Sequence, residues 1–406
     1  MDRVENFENK HFGMFIHFGL YSELSKGEWT WFYSEESRRV YPECFVNFNP
    51  SELNWKKIVS VAKETGMKYI VLTTRHHDGF SLYDTRGLSD YDVMHTPYGR
   101  DIVREFVDEC NRQDIMPLLY HTMHDWQLPL FQKDFNAYLQ YHRKSIEILC
   151  TRYGEIGGLW FDGMWYDRKA DWQEDALYSL IRKYQPNAII INNSGLKGRG
   201  KRGNPELDSI TFEQGNLQAT DQSGFERHLA MEVCQTMNHH WGDAGQDIDY
   251  KSNRQLVEML AKCRGAGANY LLNIGPDGMG NITPMQLGIL NSMRIWVNLV
   301  KEPFDHGKVS ASYMDGKDFV LDTENGSYAF IHDLPMLKAN NVMEGGDLEH
   351  PIRNIYRMSK KVKTISWMDN NELLAFQQSE DCVSLSVTGF PYGRHLIVRC
   401  AVIKYE

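Results

Sequence analysis

The stretch Gly158-Leu159-Trp160-Phe161-Asp162-Gly163 is apolar until its last two residues. Such a run suits a strand covered on both faces, but a carboxylate and a glycine cannot continue it, so Asp162 stands where the strand meets a loop. Taken singly, an Asp there is as readily the cap of the next turn as a reactive group. Here the pattern recurs. Short apolar or β-branched runs over 13–19, 69–74, 117–122, 188–193, 209–214, 230–237 and 269–275 have a similar build, and with 158–163 they make eight, the number that closes a (β/α)8 barrel. Helical periodicity predicts helices over 51–65, 101–112, 135–151, 172–184, 252–264 and 284–300. The connections 195–208 and 215–229 are rich in Gly, Asn and Gln and read as long loops. The expected fold is therefore a (β/α)8-like barrel with helices missing on one side.

After Glu302-Pro303-Phe304 the period changes to two. Runs over 319–321, 327–331, 364–367, 373–377, 383–387 and 395–403 alternate or are short and β-rich, with Asp315-Gly316 and Glu324-Asn325-Gly326 as turns between them. The sequence thus predicts a barrel over 1–303 and an all-β sandwich domain over 304–406, the latter without a cluster of candidate catalytic residues.

A chain of 406 residues holds a barrel and a smaller module comfortably. Its 24% charged content and 13 prolines are those of an ordinary globular protein. The net charge of -10 speaks against phosphate-backbone binding, and the single basic run, Lys197 to Arg202, reads as a solvated loop. Seven scattered cysteines without a C-x-x-C pair suit buried thiols in a reducing compartment. No h-region opens the chain and no apolar run approaches membrane-spanning length, so the expectation is a cytoplasmic protein with no membrane partner. A homo-oligomer is compatible with the sequence, which does not specify one.

In a barrel of this kind chemistry gathers at the C-terminal strand ends. Those ends carry His17, His76-His77-Asp78, Tyr120 to Trp126, Asp162, Asn192-Asn193, Glu213, Glu232 and Asn273. Each has an ordinary structural reading, but a polar group from every strand on one face is hard to obtain from packing alone. A lone His17 on the first strand and the lack of H-E-x-x-H disfavour a metal site. No G-x-S-x-G elbow, P-loop or dinucleotide fingerprint is present, and no cofactor is expected. What remains is a pocket with two or three carboxylates, several histidines and many aromatics, Trp29, Tyr120, Trp160, Trp165 and Trp241 among them. A carboxylate pair on different strands is what glycoside hydrolysis requires, one as nucleophile or base and one as general acid.

Several blocks together resemble the α-L-fucosidases of glycoside hydrolase family 29. They are Phe12 to Gly19, Gly27-Glu28-Trp29, Arg75-His76-His77-Asp78-Gly79-Phe80, Leu159-Trp160-Phe161-Asp162-Gly163 and Asn269 to Gly278, in order over residues 11–300. The resemblance implies an exo-acting retaining enzyme that removes terminal α-L-fucosyl units from oligosaccharides through a covalent fucosyl-enzyme on Asp162. It also implies that Glu213 is the acid/base, because 208–214 looks like the family's D-x-x-T-P-E-Q segment, with Phe212 where Pro is usual. Glu232, in a block similar to W-E-T-C-x-T-M, is the other candidate and otherwise lines the pocket. His17, Glu28, Trp29, His76, His77, Tyr120 and Trp160 would hold the sugar, and Trp31, Phe32 and Met237 are expected around its C6 methyl. Some members place an Arg near the nucleophile after the fifth strand, where this chain reads Asn192-Asn193-Ser194-Gly195. The alternatives are an α-L-galactosidase or a transfucosidase on the same framework, or a non-catalytic fucose-binding protein.

Overall fold

Eight parallel strands form one sheet in the order β5-β4-β3-β2-β1-β8-β7-β6. They are β1 (Phe12–Ile16), β2 (Tyr69–Arg75), β3 (Met116–Thr122), β4 (Gly158–Asp162), β5 (Ile189–Asn192), β6 (Ser209–Glu213), β7 (Ala230–Gln235) and β8 (Asn269–Ile274). This structure is a computed structural model and describes residues 2–342 and 348–406. The chain divides into two compact units, Met1–Lys251 with Ala268–Leu290, and Ser252–Gly267 with Asn291–Glu406.

The barrel interior takes every second residue of its strands: Tyr69 and Val71, Leu118 and Tyr120, Ile189 and Ile191, Ala230 and Cys234, with Phe15, Trp160 and Leu271. Strand side chains alternate between faces, so the residues left over, such as Leu119, Phe161 and Ile190, are buried on the outer face. Gly13 makes room for Tyr69, whose ring would lie 2.4 Å from a Cβ added there. The N-terminal helix Arg3–Glu8 adds Val4 and Phe7 to the interior cluster.

Helices Trp55–Glu64, Ile102–Gln113, Phe135–Arg152, Glu174–Tyr184 and Asn253–Gly265 link successive strands, and Pro284–Leu299 follows the last. Each starts within four residues of its predicted position, and Asn54, Asp101, Asp134 and Ser252 cap four of them through their side chains. Only a single 3-10 turn, Leu196–Gly198, lies between β5 and β6, and no helix separates β6 from β7. The missing helices thus fall where the Gly- and Asn-rich connections placed them. Several helices lie outside the predicted set, among them Arg3–Glu8, Lys301–His306 and Glu35–Asn47. Glu35–Asn47 contains Pro42, which breaks the sequence pattern of a helix interior, although Ser34 caps its start and Glu35 and Glu36 fill its first turn.

The same side of the barrel is where its ladder is interrupted, since β5 and β6 are the two edges of the sheet. Asp208, just before β6, spans the gap at the N-terminal end. Its N–H donates to the Ile190 carbonyl and its carboxylate accepts the Ile190 N–H, both at 2.9 Å. Arg3, Arg182 and Arg227 surround that carboxylate at 3.0, 2.6 and 2.9 Å.

The C-terminal strands form two antiparallel sheets. One holds β10 (Tyr313–Met314), β13 (Ile352–Tyr356), β16 (Cys382–Ser386) and β15 (Phe376–Gln378). The other holds β14 (Val362–Trp367), β17 (Arg399–Tyr405), β12 (Gly326–Ile331), β11 (Phe319–Thr323) and β9 (Lys308–Val309). Residues of both sheets, among them Ile355, Val383, Leu385, Ile365, Trp367 and Ile403, share one core, which is the expected sandwich. The strand Ile352–Tyr356 escaped the sequence reading because Arg353 and Asn354 dilute its pattern. Among the described residues no helix is long and apolar enough to cross a membrane.

Candidate active site

Asp162 ends β4 on the same face as Trp160, two residues earlier, and the turn after it needs Gly163, whose φ is 100°. An added Cβ at Gly163 would stand 3.2 Å from the His77 ring, so this glycine also lets the His76-His77 loop approach. Four groups meet the Asp162 carboxylate. Trp165 Nε1 and Asn193 Nδ2 donate to Oδ1 at 2.8 and 3.2 Å, Tyr120 Oη donates to Oδ2 at 3.1 Å, and His77 Nε2 lies 3.4 Å from Oδ2. Burial works against charge on Asp162, yet these hydrogen bonds, led by His77, outweigh it and hold the carboxyl below its ordinary range.

Glu213 ends β6 across the interrupted side of the barrel. Asn193 Nδ2 also donates to Glu213 Oε2 at 3.0 Å, so one amide spans both carboxylates. Two such bonds laid end to end keep these oxygens closer than the separation of about 6.5 Å at which pairs that act through an intervening water begin. Burial, and next the charge of Asp162, push Glu213 up to about 7. One carboxyl is therefore ionised and its neighbour protonated over the same pH range. Asn193 is itself held by Thr211 Oγ1 and the Gly195 N–H, which donate to its Oδ1 at 3.2 and 3.1 Å.

A narrow inner pocket surrounds the pair, lined by Phe15, His17, Trp29, His76, His77, Tyr120, Trp160, Asp162, Trp165, Asn193, Glu213 and Trp241. His17 Nδ1 bonds Asn273 Oδ1 at 2.7 Å, and His77 Nδ1 bonds Thr122 Oγ1 at 2.6 Å. Burial lowers His17 to about 3 and takes His76 well below its usual value, so both rings are neutral. His76 Nδ1 is buried and meets no protein partner. Outside lies a wider cleft of about 1100 Å³, which shares Trp29, Trp165, Glu213 and Trp241 with the inner pocket and adds Glu28, Tyr33, Leu196 and Lys197. Glu28 Oε2 accepts the N–H groups of Trp241 and Gly242 at 3.0 and 2.8 Å.

Of the residues expected from sequence, His17, Trp29, His76, His77, Tyr120, Trp160, Asp162 and Glu213 converge on the inner pocket, and Glu28 lines the outer cleft. Glu232 lines neither. It sits fully buried inside the barrel, accepting from Tyr69 Oη and Trp160 Nε1 at 2.7 and 2.8 Å, and burial raises it to about 7. Its position in mid-strand, two residues before Cys234, directs it to a deeper layer than the strand-end Glu213. Asp78 also turns away, with its carboxylate bonded by Tyr41 Oη at 2.7 Å. Trp31, Phe32 and Met237 do not line the inner pocket, whose apolar walls are Phe15 and the four tryptophans 29, 160, 165 and 241. Among the described residues no Arg bonds Asp162; Trp165, Asn193, Tyr120 and His77 meet its carboxylate instead. The signal for Asn193 was in the sequence, as a polar residue closing an apolar run, but its bridging of two carboxylates depends on the seam between β5 and β6.

The family model described as Alpha-L-fucosidase matches residues 2–302. The chain is 25% identical over 370 residues to an α-L-fucosidase of Dictyostelium discoideum, covering 81% of this chain and 78% of that one. Among solved structures, α-L-fucosidase isoenzyme 1 from Paenibacillus thiaminolyticus superposes with a TM-score of 0.81 at 28% identity, over 100% of this chain and 99% of the other. AlfC from Lactobacillus casei, an α-L-fucosidase in complex with its α-L-fucose product, superposes with a TM-score of 0.65 at 28% identity, over 74% of this chain and 100% of the other.

Proposed function

Since the chain belongs to the α-L-fucosidase family, we propose that it is an exo-acting, retaining α-L-fucosidase, with Asp162 as nucleophile and Glu213 as acid/base. The observation that carries this reading is the Asn193 bridge. It holds an ionised and a protonated carboxyl closer together than pairs that act through an intervening water.

In the first step an Asp162 oxygen attacks the anomeric carbon while the proton on Glu213 passes to the glycosidic oxygen, the C–O bond to the aglycone breaks, and a fucosyl ester forms. Ester formation removes the negative charge of Asp162, the second-largest cause of the raised Glu213 pKa. Glu213 is then a stronger acid in its own right and stays ionised, as a base must, to take a proton from the incoming water. Attack of that water at the same carbon returns Asp162 and releases fucose with its configuration retained.

The inner pocket suits a single terminal sugar because Phe15, Tyr120 and Trp160 line it above the packed interior of the barrel. Neutral His17 and His76 offer hydrogen bonds to hydroxyls without competing for the charge on Asp162. The fucose product bound by the Lactobacillus casei relative supports fucose as the sugar held here. A non-catalytic binding protein would have no use for a carboxyl held ionised beside one held protonated.

The test is stereochemical. Asp162→Asn should lower kcat on p-nitrophenyl α-L-fucoside on the order of 10⁴-fold or more, as loss of a covalent nucleophile does. Asp162→Gly supplied with azide should yield the inverted β-fucosyl azide, since only one displacement remains, and Glu213→Ala with azide should yield the α-azide. Ordinary turnover by Asp162→Asn, or the opposite anomers, would overturn the assignment.

A further inference from the structure

The basic run from Lys197 to Arg202 is the one sequence motif that the reaction leaves unused. It does not lie apart as a solvated loop. Leu196 and Lys197 line the outer cleft together with Glu213, and Arg168, from the loop after β4, lines it beside them. Arg168 Nη2 donates to the Ser194 carbonyl at 3.0 Å and packs on Gly198, where an added Cβ would stand 3.3 Å from it. The loops after β4 and β5 therefore make one wall. Arg199 is half-buried, and its charge bears on Glu213. Arg202 stacks on Phe225 at 4.6 Å, and the Nε atoms of both arginines are buried without a partner.

The charge of this wall is unusual for the chain. Acidic residues outnumber basic ones by 54 to 44, and the nearby Arg182 and Arg227 are both paired with Asp208. Yet among the described residues none of Arg168, Lys197, Arg199, Lys201 and Arg202 is paired with a carboxylate. The remaining lysines of the cleft are engaged elsewhere. Lys251 Nζ donates to the oxygens of Thr236 and Asn238, and Lys26 faces Glu36 at 3.9 Å. Guanidinium and ammonium groups left free at the mouth of a cleft attract anions over about 8 to 10 Å and grip carboxylate or sulfate oxygens by charge-assisted hydrogen bonds. Glu213, as acid, marks the side from which the leaving group departs, so the cationic wall faces the sugars beyond the fucose.

Resting on the α-L-fucosidase reading, we propose that the enzyme's preferred substrates are fucosides whose aglycone carries an anionic substituent, a carboxylate or a sulfate ester, held by Arg168 and Lys197, the two basic residues of this wall that line the outer cleft. The experiment compares kcat/KM within matched pairs of identical linkage: fucosyl-N-acetylglucosamine with and without a 6-sulfate, and fucosyl glucuronic acid against fucosyl glucose. The aryl fucoside is run alongside. At low ionic strength the anionic member of at least one pair should be preferred roughly tenfold, as two or three exposed charge contacts of a few-fold each would give. That preference should shrink at high salt and fall toward one in the double variant Arg168→Gln/Lys197→Gln. Lys197→Glu should lower the ratio in the same direction. Because the ratio is taken within one enzyme, any general loss of activity in a variant cancels. The two pairs separate a sulfate from a carboxylate. Turnover of the aryl fucoside with ratios near or below one in both pairs would overturn the inference alone, as would a preference that survives the double variant. Failure to turn over any fucoside would overturn the function on which it rests.

Discussion

The seam between β5 and β6 is spanned at both ends by a single polar side chain, and the two ends are opposites in their electrostatics. At the N-terminal end a buried carboxylate, Asp208, is neutralised by three guanidiniums and bonded to the Ile190 backbone. At the C-terminal end a neutral amide, Asn193, joins two carboxyls that, among the described residues, no guanidinium or ammonium group bonds. The first end satisfies its charge completely and so serves to close the barrel. The second leaves the charge unbalanced, and burial together with the Asp162 charge keeps one proton on Glu213 while Asp162 stays ionised. A gap in the ladder is thus a liability at one end, and at the other gives room for a reacting pair.

The sharpest way to break that contrast is to remove the proton donor. Glu213→Gln should lower kcat/KM roughly 10² to 10⁴-fold on fucosides with sugar leaving groups, the range of general acid catalysis, and much less on an aryl fucoside that departs without a proton. In the wild-type enzyme activity should fall as pH rises through about 7, where Glu213 loses its proton. A residual rate on the sugar-linked fucosides that no longer falls there in the variant would tie this limb to Glu213, and an unchanged limb would exclude it.

Next comes the opposite end. Asp208→Asn leaves three guanidiniums around a neutral group, which should cost about 3 to 5 kcal/mol of stability and lower the urea midpoint, with kcat of the folded fraction unchanged. A loss of kcat without loss of stability would erase the distinction between the two ends. Asn193→Ala removes hydrogen bonds to charged groups, worth about 1.5 to 3 kcal/mol, and should reduce kcat/KM about tenfold or somewhat more. Since Asn193 lowers the pKa of both carboxyls, both limbs of the pH profile should move upward. A role confined to packing would leave them in place.

The smallest effect tests depth. Glu232 shares the pKa of about 7 with Glu213, but burial alone raises it, and it faces two donors inside the barrel. Glu232→Gln can accept only one of them well and should cost about 1 to 3 kcal/mol without shifting the alkaline limb of activity. The sign of its pH effect on stability follows from the raised value. The folded protein holds a proton that the unfolded chain releases above its ordinary carboxylate range, so this contribution is complete below about pH 4.5 and is lost as pH rises through about 7. Wild-type urea midpoints should therefore decline between about pH 5 and about pH 8, more steeply than those of the variant.

Much of this was readable in advance, for identifiable reasons. Asp162, Glu213, His17 and Asn193 each end an apolar run, and where period-two alternation meets a loop the inward face of a parallel barrel becomes its reactive rim. The same alternation could have separated Glu232 from Glu213. Glu232 lies two residues before the buried Cys234, within its strand, and Glu213 is the last residue of its own. The strand reading over 230–237 placed both on the rim, because it took the whole run as one strand and gave Glu232 to its end. The helix Glu35–Asn47 was hidden by Pro42, and the strand Ile352–Tyr356 by two polar residues.

The eight-strand barrel, the side on which its helices are missing, the sandwich that follows and the carboxylates at the strand ends are all written in local pattern. These depend on periodicity and on which residues can continue a strand, both local properties of the chain. The folded arrangement alone shows that Asn193 spans Asp162 and Glu213, that Trp165 and His77 meet the Asp162 carboxylate, that Glu232 lies beneath the pocket, and that Lys197 lines the cleft. Those facts concern distances between segments far apart in the chain. Side-chain hydrogen bonds and proton affinities depend on such distances, and no local pattern encodes them.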